Sequence, residues 1–170
     1  MIGLDTNILA RYYTAASSKD DAVTLAQCDA AQKLIEGGKR LMVSKTVVLE
    51  LEWVLRGVYE VTALQMAQVF SHLLSLSHVD IEDRVAVQSA TTALALGFDF
   101  ADALHHASYR TCSSVATFDD KGFARRAKKA SLKPAVLVPQ ARNDQAFNEA
   151  LFYPAATAHR HSSPSCSPSG

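Results

Sequence analysis

Four places along this chain set a carboxylate where it can do more than face water. They are Asp5 in MIGLDTNIL, Glu50 in VVLELEWVL, Asp99 or Asp102 in GFDFADALHH, and Asp119 in SVATFDD. Asp5-Thr6-Asn7 follows an apolar tetrapeptide, and Asp119 follows Ser114-Val115-Ala116-Thr117. Both stretches read as short strands, so both acids stand at strand carboxyl ends, where parallel α/β sheets collect their ligands. If those strands neighbour each other, two carboxylates converge on one rim. Four such acids, joined by the Asn7 amide and the Thr117 hydroxyl, make an oxygen-only set suited to a hard cation, Mg²⁺ or Mn²⁺, rather than to zinc. Without a cation the crowded carboxylates repel. With one or two bound, they activate a water and steady a phosphoryl oxygen in an in-line displacement. That is phosphodiester chemistry.

Each acid has a plainer reading beside the chemical one. Asp5, like Thr6, is a natural cap for a helix whose first apolar face is Ile8-Leu9 and Tyr12-Tyr13. Glu50 competes with Glu52. On a helix at about 100° per residue, Val47, Val48, Leu51, Val54 and Leu55 form the apolar sector. Glu50 lies at its edge, where an acid is costly unless paired or metal-bound. Glu52 points away, four residues before Arg56, in the order that suits a solvated ion pair. Asp99 reads as an N-cap and Asp102 as a first-turn acid favoured by the helix dipole, and local sequence does not choose between them. Asp102 with His105 and His106 has a helical metal-ligand spacing, but no Cys or further His completes a zinc shell.

The elements that must position these groups are short strands alternating with longer helices. After the first helix, Ser17-Ser18 leads into a helix from Asp20 to Glu36 that stops at Gly37-Gly38. A strand at Arg40–Val43 precedes a helix capped by Ser44 and stopped at Gly57, and Thr62–Ser75 is a further helix. Val79–Ile81 reads as a strand, Glu82–Leu96 as a helix closed by Gly97, and another helix starts near Asp99. Ser114–Thr117 is a strand, Lys121–Ala130 a basic helix, and Pro134–Val138 a last strand. Strands separated by helices pair in parallel, so the fold class is an α/β sandwich.

At 170 residues, the chain fits one domain of about residues 1–140 plus a tail. The tail from about Arg142 ends in HRHSSPSCSPSG, Ser/Pro-rich and too polar to order itself; His159 and His161 within it are poor metal candidates. Lys+Arg and Asp+Glu balance at 17 each, so a polyanion would have to be held by a local patch. Lys121, Arg125, Arg126, Lys128 and Lys129 offer one, a helix that either guides phosphates or is simply a solvated face. Trp53, Tyr12 and Tyr13 either stack bases or pack in the core. No apolar run reaches the roughly 20 residues a membrane span needs, and Asp5 interrupts the start too early for a secretory signal. Cys28, Cys112 and Cys166 stand singly, as free thiols do in a reducing compartment. The expected location is cytoplasmic.

In the order IGLDTNIL, VSKTVVLELEWVL, DFADALHHA and VATFDD, the chain resembles the PIN-domain nucleases over about residues 1–138, and specifically the VapC-type toxins of bacterial toxin–antitoxin pairs. The resemblance implies a three-layer sandwich with a central parallel sheet flanked by helices. It places the acidic quartet on Asp5, Glu50, Asp102 and Asp119, which settles Asp102 over Asp99 as the catalytic acid. Thr6, Asn7 and Thr117 become supporting residues, with Asp99 and Asp120 as neighbouring acids. It further implies a Mg²⁺- or Mn²⁺-dependent endoribonuclease leaving 5′-phosphate and 3′-hydroxyl ends, a homodimer, and inhibition by a small antitoxin entering the groove. Two other classes compete. An aspartyl-phosphate phosphatase would use Asp5 as nucleophile, but wants a second acid where Asn7 stands. A catalytically inactive PIN fold serving as a binding module would not need four acids.

Overall fold

The computed structural model describes residues 1–14 and 21–140. The helix start at Asp20, the Ser17-Ser18 lead, the tail, His159, His161 and Cys166 lie outside the described residues.

The order is β1 (Ile2–Gly3), α1 (Thr6–Tyr13), α2 (Ala22–Glu36), β2 (Leu41–Val43), α3 (Lys45–Gly57), α4 (Ala63–Ser75), β3 (Val79–Ile81), α5 (Arg84–Ala95), α6 (Phe100–Ser108), β4 (Ser114–Ala116), a π-helical turn (Asp120–Ala124), α7 (Arg125–Lys129) and β5 (Ala135–Leu137). Local chemistry sets most helix starts. The Ser44 hydroxyl accepts from Val47 N, and Thr62 forms a reciprocal capping box with Gln65. Gly97, at φ 85°, closes the α5 end with a backbone most residues avoid.

All strand pairing is parallel, as alternation with helices requires, and the α/β class expected from the sequence holds. The ladder is divided, however. β1, β2 and β3 form one sheet in that order, with Ile2 opposite Leu41 and Met42 opposite Asp80, while β4 pairs with β5. No described ladder joins β1 to β4, so the condition under which Asp5 and Asp119 would share one rim is not met by hydrogen-bonded strands.

The core runs beneath the helices. Leu41, Val43 and Val79 of the three-stranded sheet are buried with Leu51, Leu55, Phe70, Leu73, Leu94 and Phe100. Phe70 on α4 stacks on Phe100 of α6 at 4.5 Å between ring centroids, so the helix that carries Asp102 is anchored at its first residue. Burying each such side chain contributes about 1.5–3 kcal/mol. Met1–Pro139 forms one compact unit.

Candidate functional site

At the β1–α1 corner, Asp5 stands at the N-cap of α1 in extended conformation, yet its side chain makes no capping bond. Asp21, Ser44, Thr62, Asp83 and Asp99 in the same position all accept a backbone N–H of their helices. The reading of Asp5 as a cap alone therefore fails. Its carboxylate accepts instead from Asn7 Nδ2, at 3.3 Å. Thr6, 3% exposed, donates through Oγ1 to Glu50 Oε2 at 2.6 Å, tying α1 to the middle of α3 across 44 residues of chain.

On α3 the two glutamates reverse their expected places. Val48, Leu51, Glu52 and Leu55 are the buried residues, whereas Glu50 is exposed. Val47 and Val54 are only half-buried, so the covered sector is rotated toward Glu52. Glu52 does pair with Arg56, at 2.9 Å, but from a buried position rather than a solvated one. Burial is tolerable because the guanidinium neutralises the acid it meets. What distinguishes Glu50 is its contact with Thr6, not a place at the core margin.

At the second rim the acids are busier. Asp99 accepts from Asp102 N at 3.1 Å and caps α6. Asp119 accepts from Gly122 N at 2.8 Å and Phe123 N at 2.6 Å, and its own N–H donates to Thr117 Oγ1 at 3.1 Å. Those two amides, with Arg126 and Arg125 beyond them, hold the Asp119 carboxyl below its ordinary value. A Cβ at position 122 would lie 2.3 Å from Asp119 Oδ2, so any larger residue there must push the carboxylate off its two amides. Asp102 behaves oppositely. Partial burial, then the charges of Asp99 and Asp119, push its carboxyl up, against the pull of Arg126 and His105. Asp120 is exposed in the first turn of the π-helix.

The basic segment is not one helix from Lys121 to Ala130; it is the π-helical turn followed by α7. The turn is closed by the backbone bond from Ala124 N to Asp119 O at 3.0 Å, five residues apart, with the Asp119 carboxylate capping its first amides. Lys121, Arg125, Arg126, Lys128 and Lys129 are all exposed. Arg126 donates to Gly97 O at 3.3 Å and lies over the Phe98 ring at 5.8 Å, which fixes it beside Asp102. His106 is buried and bonded to Pro134 O at 2.8 Å, so the Asp102–His105–His106 spacing is structural. Tyr12 and Tyr13 are half-buried and lie against His72, Tyr13 Oη at 3.0 Å from Nδ1. Trp53 is 80% exposed.

A cavity of about 980 Å³ is lined by Glu50 of α3 and by Asp99 at the start of α6, and Asp5, Asp102 and Asp119 are not among its lining residues. Among the described residues, no three His, Cys, Asp or Glu side chains gather into one ligand set. Described contacts tie Thr6 to Glu50 and Asn7 to Asp5 at the corner, and bring Asp102 near Asp99 and Asp119 at the second rim, so the expected single cluster of Asp5, Glu50, Asp102 and Asp119 is not drawn together by direct contacts. Their donor chemistry still fits a hard divalent cation. It is all oxygen, and ionised Asp102 is disfavoured by two neighbouring carboxylates, a conflict that a cation relieves. The Thr6–Glu50 bond and the place of Arg126 escaped the sequence reading, since neither long-range contact has a local signature. Among the described residues no helix is long and apolar enough to cross a membrane.

A family model described as PIN domain matches residues 2–129. The comparisons with curated proteins and with solved structures gave no match.

Proposed function

This chain belongs to the PIN-domain family, whose members are generally metal-dependent nucleases, and from that premise we propose that it is an endoribonuclease using Mg²⁺ or Mn²⁺. The observation that carries the proposal is the Asp5 carboxylate, left out of the capping role its position offers and set beside the Thr6–Glu50 contact.

In this reading Asp5, Glu50, Asp102 and Asp119 would hold the cation, which would supply an acidified water and balance charge on the phosphoryl oxygen. The chain's own groups do the rest. Asn7 orients Asp5, and Thr6 fixes the rotamer of Glu50. Thr117 receives the Asp119 amide and steadies the turn that presents its carboxylate. Asp102, whose ionisation is disfavoured by partial burial and by Asp99 and Asp119, is the carboxylate that gains most from a cation balancing its charge. Lys121, Arg125 and Arg126 guide the phosphate backbone toward the rim from outside. The VapC-like order of motifs supports a toxin held by a cognate antitoxin, acting as a homodimer in the cytoplasm.

The test is incubation with single-stranded RNA, and separately with a small phosphate ester, in Mg²⁺, Mn²⁺ or excess chelator. RNA fragments bearing 5′-phosphates, absent in chelator, are expected. Hydrolysis of the ester alone would favour phosphatase chemistry at Asp5, and no hydrolysis of either would leave a binding module.

A further inference from the structure

Trp53 is the chain's one tryptophan, and nothing in the catalytic scheme uses it. A single exposed apolar residue is ordinary on a protein surface. This one is not isolated. It lines the same cavity as Glu50 and Asp99, one helical turn beyond Glu50 on α3. The opposite walls are Val61, from the segment joining α3 to α4, and Asp99 and Ala101 at the start of α6. The volume is at the upper end of the range of about 300–1,000 Å³ typical of small-ligand sites. Tyr12 and Tyr13 are committed to His72; the Trp53 ring, by contrast, is open to a partner.

We propose that Trp53 is a stacking platform for an unpaired nucleobase of the RNA, placed beside the acids so that the phosphate next to that base meets them. The proposal rests on the ribonuclease reading above and adds what that reading lacks, a reason for the substrate to be single-stranded. Charge divides the two ends of the substrate. The cavity holds Glu50, Glu52, Glu60 and Asp99 against Arg56 alone, so it repels a bare phosphate. The face of a base carries no charge and stacks on indole whatever its identity. The phosphates find their cations elsewhere, at Lys121, Arg125 and Arg126. A base within a duplex hides its faces and cannot use the indole without unstacking. Arg56, already tied to Glu52, has further N–H donors for a base edge.

Because there is one tryptophan, its fluorescence reports on this cavity alone. The test titrates the full chain, in Mg²⁺, with a 2′-O-methyl single-stranded octanucleotide that resists hydrolysis. An abasic strand of the same length, a duplex and an arginine-rich peptide serve as comparators. Cleavage kinetics on unmodified RNA are measured for wild type, Trp53→Ala and Trp53→Phe. Quenching by the single strand is expected, with little from the abasic strand or the duplex. Trp53→Ala should raise KM about tenfold with kcat largely kept, as loss of one stacked base does, and Trp53→Phe should recover most of it. Both variants should melt with the wild type, since the ring is exposed. Equal quenching by the abasic strand, quenching by the peptide in place of RNA, or normal cleavage with an unchanged KM in Trp53→Ala would overturn the platform and leave the nuclease intact. Quenching by the single strand with no cleavage in either metal would overturn the nuclease and leave the platform.

Discussion

The corner where β1 meets α1 and the rim where β4 meets α7 carry the same residue types in the same kind of place, and they use them differently. Each has an aspartate at a strand end, a threonine close before or after it, and a helical start beyond. At the corner, the Asp5 side chain is excused from capping and Thr6 reaches out to Glu50. At the rim, Asp119 holds two backbone amides and Asp99 a third, leaving Asp102 as the acid pushed up by burial and then by its neighbours. A carboxylate that binds backbone is stabilised as an anion by the fold itself. One that binds only a side chain, or is crowded by like charge, has no such support from the backbone. The contrast separates acids held by backbone amides from acids that are not.

Substituting one acid from each side, Asp5 and Asp119, should break the comparison most visibly. Asp5→Asn is expected to lower cleavage by roughly two orders of magnitude or more, because a bound metal supplies several kcal/mol to the transition state. Its melting temperature should stay with the wild type, since no cap is lost. Asp119→Ala should lose activity as severely and also melt several degrees lower, for its carboxylate caps the π-helical turn. Steady-state cleavage and thermal melting on the same preparations separate the two outcomes, and a stability loss in Asp5→Asn would show that the corner is structural after all.

The same division runs through α3 on a smaller scale. Glu50→Gln should abolish most cleavage with little change in melting. Glu52→Gln should keep cleavage and cost about 1–3 kcal/mol, because a buried partner of Arg56 is removed. Denaturant unfolding beside activity decides it; matching profiles for the two variants would erase the distinction.

The smallest effect is in pH, and it sharpens the contrast within the rim. The Asp102 carboxyl is raised from 3.8, so the metal-free native state holds its proton longer than the unfolded chain does. Its ionisation costs stability progressively as pH rises from 3.8 through the raised value. The Asp119 carboxyl is lowered from 3.8, so it adds stability above that pH which is lost as pH falls through the lowered value. Melting followed from about pH 3 to 6 in chelator should show Asp102→Asn gaining on the wild type as pH rises, and Asp119→Asn losing ground. Curves moving the same way would mean the two carboxyls do not sit in opposite fields.

What was legible beforehand was local. Ser44, Thr62 and Asp99 announce their helices because capping needs only a side chain and an amide three residues on, and β3 at Val79–Ile81 needs only its apolar run. What was illegible needs the rest of the molecule. Periodicity shows that α3 has an apolar sector, but which of its flanks is covered depends on what packs there, and half-exposed Val47 and Val54 gave the wrong centre. The same gap hid the burial of Glu52 and the exposure of Trp53. The π-helical turn has no local signature, because a basic, helix-forming stretch reads the same whether its first carbonyl is met four or five residues on. Strand-end position, helix phase and resemblance point to Asp5, Glu50, Asp102 and Asp119, but none of these signals carries the pairing that leaves β4 on β5 rather than on β1.

The central claim is that these two regions serve one cation. Mn²⁺ affinity measured calorimetrically for wild type, Asp5→Asn, Asp102→Asn and the double variant tests it most directly. The account predicts binding by the wild type, a loss of about tenfold or more from either single substitution, and little further loss in the double variant, because a site already broken from one side has little left to lose from the other. Wild-type affinity retained in either single variant, or losses that simply add, would show that the corner and the rim do not share a metal.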